Sequence, residues 1–477
     1  MSLSRAEVKD PSINGNPVKG RSPFQSLAYA SPDGVIFGLA PRPVSCGLGL
    51  RIGAGEVLPE VDFTLTPMSI TPQTWSEVQK QYQQMVKGVL ARALHLKCGA
   101  LGLEIEHLYE LTMEPRWGAE LTKQAKAIME GAYQKHGLRT ALRVTVADVR
   151  QEERPPKMRT GKGLQKMMEA LQLCAASGAD IFSVESTGGK ELFDQAIVEG
   201  DVLAMVYSLG VLGCRDVRFL WRHITEIATR FGVLPGGDSA CAFANTAMQL
   251  AQQKYIPKVL AALIRALSAV RTLCAFEEGA LGPGKDCAYE NPIIKIITGM
   301  PVAMEGKSAA CAHSCPLGNI SAAVCDLWAN ESVQNLRLLG GDAPEVCAEM
   351  LIYDCRLMNT SHHLGQSQLL RNLFVSSDRY QDPQALFLDP EVCFSLAQTI
   401  VAEADDYLRT LKVASYACQV IQQAVGSGRL HLSTGEVRWL GRIEEAVASL
   451  PDSPDGLWER LEQRWGHLVL PTEYGLG

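Results

Sequence analysis

The sequence lacks basic runs, long apolar runs and paired histidines, and each absence removes a class of function. No long run of Lys or Arg occurs and the formal net charge is −7, so nucleic acid finds no electrostatic footprint. The longest apolar run, Val202 to Cys214, is broken by Ser208 and Gly210 and falls short of the ~18–20 residues that span a bilayer. The first twenty residues carry no apolar core of a secretory signal, and a cytoplasmic protein without a membrane partner is expected. Nine histidines are present without an H-x-H pair, which excludes the metal-binding mode of amidohydrolase barrels. His362 and His363 are adjacent in a segment of helical period, where their side chains diverge. The fourteen cysteines are scattered, unlike those of a small disulfide scaffold, and most are expected to be buried small hydrophobes.

What is present is a chain of 477 residues, 47% hydrophobic and 20% charged, long enough for a large core. Short β-branched or Leu-rich runs alternate with segments of helical period. Eight strands are expected, near 47–52, 100–105, 141–147, 180–185, 203–207, 231–235, 272–277 and 300–305. Between them Val78, Tyr82, Met85, Val89 and Ala93 share one helical face. So do Leu164, Met167, Met168, Leu171 and Cys174, and so do Val217, Leu220, Trp221, Ile224 and Ile227. Eight alternations predict an α/β fold, a (β/α)8 TIM barrel with an additional C-terminal helical region. An open doubly wound sheet is the second reading. The expected organisation is a flexible arm over 1–30, the barrel over 31–343, and helices packed on it over 344–477, near 344–360, 366–376, 391–424, 434–449 and 455–465.

A barrel places its chemistry at the C-terminal ends of its strands. Those positions hold Glu104, Glu106, Asp148, Glu185, Asp238, Cys241, Cys287 and Glu305. Glycine-bearing loops surround three of them: SVESTGGKE at Glu185, PGGDSACAFAN at Cys241 and GPGKDCAYEN at Cys287. Two thiolates and a carboxylate converging there make a zinc set with an open fourth position. Spacing alone leaves that reading beside a plainer one, of buried structural side chains.

Two competing motifs are weaker. Gly279, Gly284 and Lys285 match G-x-x-x-x-G-K, but Asp286 stands where a phosphate loop needs a hydroxyl. Pro283 also removes a backbone donor. Cys311, His313 and Cys315 could chelate, yet no second C-x2-C pair accompanies them. His313 also reads as a polar group at the mouth, able to donate to a leaving oxygen.

The segments VIFGLAPRPVSCGLGLRIGAG (35–55), SVESTGGKELFD (183–194), PGGDSACAFANTAM (235–248), GPGKDCAYEN (282–291), MEGKSAACAHS (304–314) and CDLWANESV (325–333) resemble the methanol:corrinoid methyltransferase subunit family. The resemblance runs from about residue 30 to the end of the sequence. It implies a zinc enzyme on a TIM barrel, with Glu185, Cys241 and Cys287 as ligands. The implied reaction moves the methyl group of methanol to the Co(I) corrinoid, a cobalamin, of a separate corrinoid protein, with zinc acting on the methanol oxygen. The motif D-x-H-x-x-G, which supplies a lower axial His to a bound corrinoid, is absent, consistent with a cofactor carried by the partner. The family suggests a homodimer with one corrinoid protein on each subunit.

A proton donor near the departing oxygen would help, and His313, Tyr289 and Glu290 are the candidates. Ala240, Phe243 and the pair Cys315–Pro316 are more apolar or more rigid than the pattern, which raises the question of a donor larger than methanol. The alternatives are therefore the same chemistry on a methoxylated compound, methylamine or methylthiol, or a non-catalytic barrel that binds a corrinoid protein.

Overall fold

The computed structural model describes residues 22–65, 68–307, 315–333, 336–338 and 340–476. It opens with an antiparallel hairpin of β1 (Leu39–Cys46) and β2 (Leu50–Ala54). Seven strands then form one parallel sheet: β3 (Leu58–Thr64), β4 (Ala100–Glu106), β5 (Arg139–Val146), β6 (Ile181–Val184), β7 (Leu234–Asp238), β8 (Ala303–Glu305) and β9 (Leu327–Val333). Their order is β7-β6-β5-β4-β3-β9-β8.

The gap between β7 and β8 is filled by the segment 281–286. Leu281 N donates to Pro235 O of β7 at 2.7 Å, and on the other side Glu305 N donates to Asp286 O at 3.0 Å. Gly284 pairs in parallel with Val302. This segment is the eighth stave, and it closes the (β/α)8 barrel.

Leu50 and Ile52 of the hairpin pack with Leu58, Ala100, Ala141, Ile181, Ala303 and Leu327, which lie at or near the strand starts. The hairpin therefore plugs the N-terminal end of the barrel. Above that plug the interior is charged, where barrels usually stack branched apolar side chains. The buried Arg143 donates to Glu60 of β3 at 3.0 Å, to Ser183 of β6 at 2.7 Å and to Pro283 O of the eighth stave at 3.0 Å.

The expected strands at 100–105, 141–147 and 180–185 are β4, β5 and β6, and those near 231–235 and 300–305 are β7 and β8 displaced by up to three residues. The run at 47–52 belongs to the plug and is no stave. Two expectations are overturned. Residues 203–207 lie in the helix Val202–Tyr207, whose N-terminus Asp201 caps by accepting from Ala204 N at 3.1 Å. Residues 272–277 end the helix Lys258–Glu277, in which every residue from Val259 to Phe276 is buried. A helix enclosed on all sides is apolar all round and loses the period that would identify it. It is the one helix among the described residues long and apolar enough to cross a membrane, and it is wholly buried within the fold. β3 and β9 were not expected, because Glu60 and Asp62 in one and Asn330 and Ser332 in the other put buried polar groups into the strand pattern.

A short hairpin, β10 (Arg337–Leu338) with β11 (Gly341–Asp342), leads into the helices Ala343–His363, Ser367–Asp378, Pro390–Val401, Asp406–Gly426, Thr434–Ala448 and Pro454–Trp465. The helix expected over 391–424 is two, with Asp405 capping the second through Leu408 N at 2.9 Å. Of the arm expected over 1–30, residues 1–21 lie outside the described residues. Phe24 is packed in the core, and Ala28 N donates to Ile296 O at 3.0 Å.

Candidate metal centre

Three staves deliver the three expected donors to one point at the barrel mouth. Glu185 follows β6, Cys241 opens the helix Cys241–Gln252 after β7, and Cys287 follows the eighth stave. One donor atom from each lies within 4.8 Å of the other two, and Cys287 Sγ is 2.8 Å from Glu185 Oε1. These spacings suit a tetrahedral ion with bonds of about 2.3 Å to sulfur and about 2.0 Å to oxygen.

The loops have little freedom. Gly236 of β7 passes so near its neighbours that a Cβ would lie 2.7 Å from Phe182 O and 3.0 Å from Pro283 O. Asn291 Nδ2 bridges Lys285 O at 2.7 Å and Ala303 O at 2.8 Å, clamping the eighth stave to β8. Two further residues hold the sulfurs. Asn245, one helical turn after Cys241, donates to Cys241 Sγ at 3.3 Å and to Cys287 O at 3.2 Å. Ser239 Oγ lies 3.3 Å from Cys287 Sγ and accepts from Cys241 N at 2.9 Å. Neither was singled out from sequence. Asn245 is legible once the helix is placed, since i and i+4 share a face.

Below the donors lies an acidic chamber. Lys285 Nζ is 2.7 Å from Asp286, 2.9 Å from Glu104, 3.3 Å from both Asp62 and Glu106, and 3.9 Å from Glu185. The lysine of the apparent phosphate loop is thus a buried counter-charge. Burial works to discharge it, but the carboxylates hold its pKa well above the usual value. Burial also pushes Glu104 up to about 8, Asp286 adding to the rise against Lys285.

All three donors are shifted toward their protonated forms. Burial and Glu106 raise Glu185 to about 7, and burial lifts Cys287 well above a free thiol. Cys241 stands at about 11: a hydrogen bond from Cys287 lowers it, while burial and Glu185 raise it by more. Lys285, 3.9 Å from Glu185, compensates this set only in part. A dication fits it, and its binding would displace the protons.

The remaining candidates fall in different places. Tyr289 is fully buried, with Arg265 above its ring at 4.9 Å, and its hydroxyl faces Glu305. Burial and Asp286 raise Glu305 to about 8. Glu290 Oε1 accepts from Ala240 N at 2.9 Å and from Thr272 Oγ1 at 2.6 Å, so it fixes the peptide ahead of Cys241. His313 and Cys311 lie outside the described residues. Ala240 and Phe243 are fully buried, and Phe243 sits against Phe193 at 5.1 Å and Arg271 at 4.9 Å. Cys315 is buried and accepts from Gln384 at 3.6 Å. Asp148 and Asp238 serve the Glu185 loop, accepting from Thr187 and Ser186.

Comparison with known proteins identifies the family. A sequence model of the methanol-cobalamin methyltransferase B subunit matches residues 21–474. The chain belongs to that family. It is therefore a methyltransferase. It is 40% identical over 436 residues, 91% of this chain and 94% of the other, to a methanol–corrinoid protein co-methyltransferase of Methanosarcina barkeri (strain Fusaro / DSM 804). It also superposes on a chain of the methanol:cobalamin methyltransferase complex MtaBC from Methanosarcina barkeri, with a TM-score of 0.91 and 38% identity over 95% of this chain and 99% of that one.

Proposed function

We propose that this chain transfers the methyl group of methanol to the Co(I) corrinoid of a separate corrinoid protein, using zinc held by Glu185, Cys241 and Cys287. The observation that carries the reading is the meeting of those three donors within 4.8 Å of one another at the barrel mouth. The similarity to a methanol–corrinoid protein co-methyltransferase along 91% of the chain supports it. In the reaction the C–O bond of methanol breaks, a C–Co bond forms from the Co(I) electron pair, and the oxygen leaves as water after taking one proton.

Zinc supplies a Lewis acid toward the methanol oxygen, which makes that oxygen a better leaving group. The protein residues set the conditions for it. Asn245 and Ser239 steady the two sulfurs. Burial raises Glu104 and Glu305, and Lys285, 2.9 Å from Glu104, offsets the negative charge beneath the donor set. We assign Glu305, beside the Tyr289 hydroxyl, as the group that holds the proton given to the departing oxygen. His313 is the second candidate for that role, and Glu290 supports Cys241. The corrinoid face, docked on the mouth, would exclude bulk water.

Methanol is favoured over a larger donor because Ala240 and Phe243 are packed into the interior. The test is anaerobic loss of cob(I)alamin absorbance by zinc-replete protein with methanol, a methoxylated compound, methylamine or methylthiol. Saturable loss with methanol is expected. Saturation by another donor with none by methanol would reassign the substrate, and corrinoid-protein binding with no methylation from any donor would favour the non-catalytic reading.

A further inference from the structure

Glu185 sits on the loop between β6 and the helix Lys190–Glu199. The barrel and its helices anchor this loop: Arg271 Nη2 donates to Ser186 O at 2.5 Å and Ser208 Oγ to Gly189 O at 2.6 Å. Ser186 Oγ donates to Asp238 at 2.8 Å, and Thr187 donates from N and Oγ1 to Asp148 Oδ2 at 2.8 and 2.9 Å. A further anchor comes from 285 positions along the chain. The Tyr474 hydroxyl accepts from Gly189 N at 3.0 Å and donates to Glu191 Oε1 at 2.5 Å.

This contact is enclosed. Tyr474 is fully buried and Glu191 nearly so, and burial raises the Glu191 carboxyl to about 7 against the pull of the tyrosine bond. Gly189 has φ +89°, and a Cβ there would lie 2.8 Å from Ser208 O, so the corner has little room to find another acceptor for its N–H.

The preceding residue fastens the same segment to the β5 side of the barrel. Glu473 Oε2 accepts from Arg159 N at 2.6 Å and Thr160 N at 3.0 Å, and its Oε1 accepts from Thr160 Oγ1 at 2.6 Å. Thr160 stands immediately before the helix Gly161–Ala176 and makes no side-chain cap of its own. Glu473 thus satisfies the helix entrance as the reciprocal carboxylate of a capping box would, from the far end of the sequence. Arg159 closes the clasp by donating to Tyr474 O at 2.9 Å.

We propose that Glu473 and Tyr474 form a latch whose purpose is to position Glu185, so that the residence time of the metal in the centre depends on two residues that do not touch it. The proposal rests on the zinc reading above. Tyr474 is a positioning residue, acting through Gly189 and Glu191.

The test uses the full chain and Tyr474→Phe, which keeps the ring and deletes both hydrogen bonds. The control is Tyr407→Phe, which deletes a comparable bond to Pro451 O at 2.7 Å in the C-terminal helices. Zinc release to a chromogenic chelator and amide hydrogen exchange over residues 185–191 are measured on each. Tyr474→Phe is expected to release zinc about tenfold faster, as loss of an outer-shell support does, with faster exchange confined to that loop. Tyr407→Phe is expected to change neither. Wild-type release and exchange in Tyr474→Phe, or equal effects from both variants, would overturn the latch. Should the wild-type chain hold no zinc, the metal reading fails by itself and the exchange measurement alone judges the latch: faster loop exchange in Tyr474→Phe sustains it and unchanged exchange overturns it.

Discussion

Lys285 is enclosed by Asp62, Glu104, Glu106, Glu185 and Asp286, and their combined field keeps it charged in a buried chamber. Lys285→Met removes the one cation they share. A loss of about 3–5 kcal/mol is expected, the scale of a broken buried ion pair, read as a lower urea midpoint. The same residue shows what sequence could and could not reveal. Asp286 and Pro283 argue against a phosphate loop from sequence alone, but the role of the lysine depends on acidic residues from β3 and β4 that only the barrel brings together. The convergence of Glu185, Cys241 and Cys287 was legible because each follows a strand end in a glycine-bearing loop. Cys241→Ala and Cys287→Ala are each expected to abolish bound zinc, measured by metal analysis, while near-ultraviolet circular dichroism stays native.

At the scale of elements, the eighth stave is held by side chains as much as by a ladder. Asn291 donates to both Lys285 O and Ala303 O. Asn291→Ala removes both of these hydrogen bonds, at a cost of about 0.5–1.5 kcal/mol each, seen as a lower melting temperature. The stave escaped sequence reading because Gly282, Pro283 and Gly284 have no strand propensity. β3 escaped for a different reason, since its Glu60 and Asp62 face a charged interior that few barrels have. The two helices taken for strands, Val202–Tyr207 and the end of Lys258–Glu277, are almost entirely buried, and periodicity is silent there. Helices with one exposed face, such as Trp75–His95, were read correctly with their buried residues.

For the whole molecule, the buried acids set the pH response of the metal-free protein. Glu104 and Glu305 titrate at about 8 and Glu191 at about 7 when folded, against an ordinary 4.5. The folded state therefore holds protons that the unfolded chain releases, and stability should fall as pH rises from about 4.5 to about 8. His107 acts in the other direction. Burial lowers it from 6.5 to about 4, so its contribution is lost as pH falls through that window. A melting temperature that declines from pH 6 to pH 8.5 in metal-free protein is the expected result, with added zinc opposing the decline because the ion replaces those protons at Glu185 and the cysteines.

The most direct measurement of the central claim is zinc K-edge X-ray absorption on the purified protein. Two sulfur neighbours at about 2.3 Å and oxygen neighbours at about 2.0 Å are predicted, the shell that Cys241, Cys287 and Glu185 would supply with one open position. A shell with no sulfur, or with four, would contradict the assignment of these three residues as the centre on which the chemistry depends.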